Sequence, residues 1–302
     1  MKHLFTALLL GGTLFLSACS DRPETQTPAQ AKPPTVLAVN NPLAYFAGRL
    51  LEGSSIEVGL PVPTGIDPAN WQPALEDVLE LQQAELILLN GAAYSKWLDK
   101  VNLDPHALVR SGETFRDQWI PLSSSVTHSH GPGGEHAHAG YAFTTWLDYS
   151  MAAEQASTVA AALANRWPEY GAGIETQLTT LLEQLGQLDS AYLQLAQSLS
   201  GRSLIYSHPV YQYFERRYGL AGKSLHWEPD SPAPEAEWQQ LAQQIKPDSL
   251  MIWEDQPVPA IVERMKELGL EWAVLDPAAN QGDSDWLSIQ HKNLSNLKTI
   301  TQ

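Results

Sequence analysis

Short apolar runs alternate with helically spaced segments twice along this chain, and one long amphipathic stretch separates the two occurrences. This pattern limits the possible folds more than any other feature. In the first half, Val36 to Val39, Ile56 to Val62 and Glu85 to Leu89 read as buried strands, and the segments around Ala44 to Leu51 and Pro73 to Gln82 have helical spacing. In the second half, Ser203 to Tyr206, Lys223 to Trp227, Leu250 to Trp253 and Trp272 to Leu275 play the strand part. Val210 to Tyr218, Glu235 to Ile245 and Val258 to Leu268 play the helix part. Strands joined through helices pair in parallel, because a parallel pair needs a crossover connection. The expected class is therefore α/β, with two lobes built on parallel sheets. Between them Ile174, Leu178, Leu181, Leu185, Leu188, Tyr192, Leu195 and Leu199 recur at three and four, Pro168 suits a first helical turn and Gly201 a stop. One helix from Pro168 to Leu199 would extend roughly 45 Å, long enough to link both lobes.

Three ionisable residues fall just beyond strand ends. His208 follows the strand ending at Tyr206, Glu254 the strand ending at Trp253, and Asp276 the strand ending at Leu275. In open α/β sheets ligands bind at that carboxyl edge, so two facing sheets define a cleft. One imidazole and two carboxylates can supply a zinc or manganese site, with Asn40, Asn41 and Asp67 arriving from the first half. Each has a plainer reading too: Asp276 before Pro277 as a cap, Glu254 and Asp255 as solvated acids, His208 as a hydrogen-bonded loop residue.

Between Thr127 and Gly140 the chain holds His128, His130, His136 and His138 with no large apolar side chain. Such a segment cannot bury itself, and imidazoles spaced one residue apart suit zinc, so it reads as a metal-collecting loop. The plainer alternative is a glycine-rich spacer. At the other extreme, Met1 and Lys2 precede an apolar run from Leu4 to Leu16 that ends in Leu16-Ser17-Ala18-Cys19. The run is a signal peptide over residues 1–18, and its end resembles a bacterial lipoprotein box in which Cys19 carries the lipid. Residues 19–34, rich in Pro, Gln, Thr and Ala, form a lipidated flexible tether. The expected organisation then runs as an N-terminal lobe over 35–167, the linking helix over 168–200 and a C-terminal lobe over 201–302. With 18 basic against 34 acidic residues, nucleic acid is an unsuitable partner and cations are favoured. The single cysteine excludes disulfides within the chain.

Taken in order, several stretches resemble the zinc and manganese substrate-binding lipoproteins of bacterial ABC uptake systems. They are Ile66-Asp67-Pro68-Ala69-Asn70-Trp71-Gln72-Pro73, Asn90-Gly91-Ala92, Trp146-Leu147-Asp148, His208-Pro209-Val210-Tyr211-Gln212-Tyr213-Phe214, Glu254-Asp255-Gln256 and Leu275-Asp276-Pro277. The resemblance runs from about Val36 to the C-terminus. It implies two α/β lobes joined by a rigid helix, one metal in the cleft and, in many zinc-specific members, a histidine-rich loop. Of the family's ligands it carries over His208 and Asp276, with Glu254 at a position often acidic. Two expected histidines are replaced, by Ala69 and Thr144. A metal with so few ligands would be poorly held, so His136 or His138 from the loop, Asp67 or Glu254 is expected to complete the shell.

The implied function is non-catalytic: capture of a divalent ion, zinc before Mn2+, and delivery to an ABC permease by an exported periplasmic or cell-surface lipoprotein. The alternatives are an exported metalloenzyme such as a hydrolase, and a metal buffer or adhesin. Gly219 to Ser224 superficially looks like a phosphate loop, but Arg217 stands where the first glycine belongs. Neither a Gly-x-Ser-x-Gly elbow nor a His-Glu-x-x-His motif occurs in the sequence.

Overall fold

The computed structural model describes residues 35–122 and 140–301, together with the strands 127–129 and 135–137. The signal peptide and tether read for residues 1–34 lie outside the described residues. So do His130 and His138.

In the N-terminal lobe, β1 (Thr35–Ala38) leads into α1 (Asn41–Leu50), β2 (Glu57–Gly59), α2 (Leu75–Gln83), β3 (Leu86–Leu89) and β4 (Leu108–Arg110). The four strands form a parallel sheet in the order β2-β1-β3-β4. The central strands Thr-Val-Leu-Ala and Leu-Ile-Leu-Leu are buried almost throughout, as a parallel sheet covered on both faces requires. Ile56 to Val62 was expected to be one strand, yet only Glu57 to Gly59 pair, because this is an edge strand and Pro61 has no amide to donate. A hairpin of β5 (Thr127–Ser129) and β6 (Glu135–Ala137) follows, with His128 opposite His136 in its register. Then come α3 (Tyr149–Arg166) and α4 (Gly171–Leu199).

The C-terminal lobe consists of β7 (Leu204–Tyr206), α5 (Gln212–Tyr218), β8 (Gly222–Ser224), α6 (Glu235–Ala242), β9 (Leu250–Trp253), α7 (Pro259–Glu267), β10 (Glu271–Val274) and α8 (Trp286–Thr301). Its sheet is also parallel, in the order β10-β9-β7-β8. Lys223 to Trp227 was expected as a strand. The ladder assigned to β8 ends at Ser224, but Leu225 and Trp227 still donate to the carbonyls of Tyr206 and Ser207 at 2.8 and 2.9 Å.

The long helix α4 has 29 residues, about 43 Å at 1.5 Å per residue. It begins at Gly171 after a single 3-10 turn, Pro168–Tyr170, so Pro168 opens the approach to the helix. Its buried stripe of Ile174, Leu181, Leu185, Leu188, Tyr192, Leu195 and Leu199 packs against α1 and α3 of one lobe and α5 and α8 of the other. Further joints bind the lobes. The Trp286 ring meets Phe46 edge-on with centroids 5.2 Å apart, and the indole of Trp146 donates to the Pro277 carbonyl at 2.8 Å. The amide of Asn41 donates to Ala279 O at 2.8 Å, while the Asn280 side chain donates to Pro63 O and Ile66 O at 2.8 and 2.7 Å. One continuous apolar core runs through both lobes along α4. Among the described residues, no helix is long and apolar enough to cross a membrane.

Candidate metal centre

The carboxyl ends of the second sheet converge because its strands stay hydrogen-bonded to the last residue. Ser207 donates to Ile252 O and Leu275 to Trp253 O, each at 2.8 Å. Trp227 donates to Ser207 O at 2.9 Å. The next residues out from these anchored positions are His208, Glu254, Asp276 and Glu228, one from each strand.

His208 is only 4% exposed, at the base of the group. Its Nδ1 lies 2.9 Å from Glu254 Oε1 and its Nε2 lies 3.4 Å from Glu228 Oε1. One ligand atom from each of the three residues falls within 4.8 Å of the other two. Burial disfavours a charged imidazole, but hydrogen bonding to Glu228 and Glu254 and their negative charge outweigh it and push the His208 pKa up to about 10. Without a metal the group therefore holds a proton between two carboxylates, a charge arrangement that a divalent cation can also satisfy. The His226 ring stands edge-on to His208, centroids 6.3 Å apart.

Asp276 leaves the sheet beside Glu254 but turns into its own loop. Its carboxylate accepts from Ala278 N at 2.6 Å, and its backbone is held on both sides by Asn293, at 3.0 and 2.7 Å. Ala278 sits at φ 52°, a left-handed turn that non-glycine residues seldom adopt. Burial raises the Asp276 pKa to about 6, reinforced by Asp255 and Glu254 and opposed by the Ala278 bond and Lys292. Asp276 also lines a second cavity with Asp255 and Lys292, and it lies near enough to Glu254 for that charge to act on it.

The opposite wall comes from the N-terminal lobe. A cavity of about 110 Å³ is lined by Asp67, Asn70, Tyr94 and Thr144 on that side and by His208 and Glu254 on the other. Asp67 lies across the cavity, its carboxylate accepting from Ala69 N at 2.9 Å and Asn70 Nδ2 at 2.7 Å. Ala69 is buried and offers no side-chain donor atom, and the Thr144 hydroxyl donates across the lobes to Val210 O. Behind the wall, Asn90 accepts from Asn40 Nδ2 at 3.3 Å and from Gln155 Nε2 at 3.1 Å, and donates to Phe143 O at 2.8 Å. Gln155 also donates to Ser111 Oγ at 3.0 Å.

The structure thus brings together His208 and Glu254 and sets Asp67 across the same cavity. Asp276 stands one strand away, and His136 belongs to the hairpin. Glu228 was not singled out from the sequence. The usable signal was its place directly after the expected strand Lys223 to Trp227, as His208, Glu254 and Asp276 follow the other three strands of that sheet.

A family model, the zinc-uptake complex component A periplasmic family (ZnuA), matches residues 36–300. The chain belongs to this family. It is 22% identical over 313 residues to the zinc-binding lipoprotein AdcA of Streptococcus pneumoniae, an alignment covering all of this chain but 61% of AdcA, so the chain spans about three fifths of that relative. It is 27% identical over 237 residues to the manganese ABC transporter substrate-binding lipoprotein PsaA of the same species, covering 74% of this chain and 70% of PsaA. Among solved structures, the Zn(II)-bound ZnuA-like domain of AdcA superposes with a TM-score of 0.74 at 19% identity, covering 89% of this chain and 99% of that one. At that identity the superposition establishes the fold, two parallel α/β lobes as read from the sequence.

Proposed function

We propose that this chain is the capture component of a metal-uptake system, taking a divalent ion, zinc foremost, into the cleft between its lobes and presenting it to a membrane ABC permease. The observation that carries this reading is a buried imidazole, His208, set between Glu254 and Glu228 at the wall of the interlobe cavity. Buried ionisable groups of this kind are costly unless paired with charge or a metal, and donors of this type bind divalent cations. Zinc is favoured over manganese by the four histidines between His128 and His138, by the family's description and by AdcA. PsaA keeps manganese as the second cargo. The protein releases its ligand unchanged and turns nothing over. Residues 1–18 direct export, and a lipid on Cys19 tethers the protein to a bacterial membrane near its permease.

Competition titration of the metal-free protein with zinc and a chromophoric chelator tests this. One tight site is expected, and His208→Ala should weaken it about 1000-fold or more, since a lost ligand must be replaced by water. Tight binding that survives His208→Ala would refute capture in the cleft.

A further inference from the structure

The His208 ring has two nitrogens on opposite edges, and one ion can occupy only one of them. The two carboxylates beside it stand at unequal distances. Glu254 Oε1 is 2.9 Å from Nδ1, the separation of a good hydrogen bond. Glu228 Oε1 is 3.4 Å from Nε2, longer than such a bond prefers. Two ligands held about 2.0 to 2.1 Å from one zinc at the tetrahedral angle stand roughly 3.3 Å from each other, so the Glu228 spacing matches a shared ion. We infer that Glu228 is a ligand to the captured ion, sharing it with Nε2 of His208, while Glu254 accepts the hydrogen bond from Nδ1 and sets the ring's orientation. A carboxylate on the far nitrogen is the usual support of a ligating histidine.

The backbone carries Glu228 to that place rigidly. Trp227 before it is buried, packs on Trp238 with ring centroids 4.4 Å apart, and donates from its indole to Glu237 at 2.6 Å. Pro229 after it accepts from Val258 N at 2.8 Å. The residue between these two fixed points has only its side chain to adjust. That side chain is 39% exposed against 26% for Glu254 and 5% for His208, so an ion arriving from solvent meets the carboxylates before the imidazole. His208 and Glu228 would supply the C-terminal part of the donor set, and Asp67 stands across the interlobe cavity from His208.

The inference rests on the cleft being the metal site, and the test separates the two. The full chain and its Glu228→Gln, Glu254→Gln and His208→Ala variants are titrated with zinc against a chelator and with Co2+, whose visible absorption reports the ligand set. Glu228→Gln should weaken zinc about 100-fold or more and change the cobalt spectrum. Glu254→Gln should weaken zinc by about 10–100-fold and leave the cobalt band shape as it was. If Glu228→Gln keeps wild-type affinity and spectrum while His208→Ala loses the site, Glu228 is no ligand and only this inference falls. If His208→Ala also binds normally, the cleft reading falls and takes the inference with it. Should Glu228→Gln fail to fold by circular dichroism, Glu228→Asp decides. Its shortened acid should weaken zinc about 10-fold, and unchanged affinity overturns the assignment.

Discussion

The two sheets have the same parallel topology and residues of both lobes line the cavity between them, yet the carboxyl edges are furnished differently. The N-terminal edge offers neutral groups that satisfy one another: Asn40, Asn90, Ser111 and Gln155 in one network tied to Phe143 O. The C-terminal edge offers His208, Glu228, Glu254 and Asp276, all ionisable. A neutral, saturated network rigidifies a wall without competing for a cation. An edge of close like charges is costly to keep empty and gains most from a cation. One wall is built mainly for shape, with Asp67 as an acid on the cavity, and the other for charge.

If that contrast is right, damage to the two edges should separate cleanly. The largest effect on stability is expected from Asn90→Ala, which leaves the Asn40 and Gln155 donors and the Phe143 carbonyl without their partner. Denaturant unfolding should show a loss of about 3–5 kcal/mol, with zinc affinity of the folded protein kept within about threefold. A comparable loss of affinity would dissolve the division between walls.

Asp276→Asn should act with the opposite sign. The folded-state pKa of Asp276, about 6, lies above its ordinary value of 3.8, so the folded protein binds the proton more tightly and is relatively favoured below pH 3.8. That advantage is lost as pH rises through 6, where the buried anion is a full liability. An asparagine, which can still accept from Ala278 N, should stabilise the metal-free protein by roughly 2–3 kcal/mol at pH 8 and by little at pH 4, as thermal melts in each buffer would show. No stabilisation at pH 8 would mean that Asp276 is better solvated than its loop suggests.

The smallest expected signal is a count of protons. At pH 8 ordinary imidazoles, with pKa about 6.5, are already neutral, but His208 is held charged up to about 10. Zinc entry must displace that proton, so calorimetry in buffers of different ionisation enthalpy should show about one released per ion. The stability linked to that proton is present in full below about 6.5 and is lost as pH rises through 10, so the metal-free melting temperature should fall over that window. Release of no proton would place the ion away from His208.

Much of the fold was legible because it depends on local periodicity. Leu250 to Trp253 was read with its observed limits, and α4 was legible from its leucine stripe. The helices α3 and α8 and the edge strand β4 were not read. In α3 the buried face mixes Ala152, Ala156, Ala160 and the polar Gln155 with larger apolar residues, so contrast between faces is weak, and in α8 buried Gln290 and Asn293 interrupt the apolar stripe because each is hydrogen-bonded. In the cleft, His208, Glu254 and Asp67 could be picked out because they are polar residues placed just after strands or turns. Glu228 was passed over although it directly follows the expected strand Lys223 to Trp227, because only the structure sets its carboxylate beside His208. Asp276 follows its strand just as Glu254 does, and its carboxylate accepts from Ala278 N in the left-handed turn that comes after it.

The central claim is that the charged edge of the C-terminal sheet holds the ion. A zinc-loaded crystal of the protein, with diffraction recorded on both sides of the zinc absorption edge, tests it most directly. The account predicts an anomalous peak about 2.0–2.1 Å from a ring nitrogen of His208 and about 2.0–2.2 Å from a Glu228 oxygen. Zinc found only among His128, His130, His136 and His138, with His208 still clamped between its carboxylates, would contradict it.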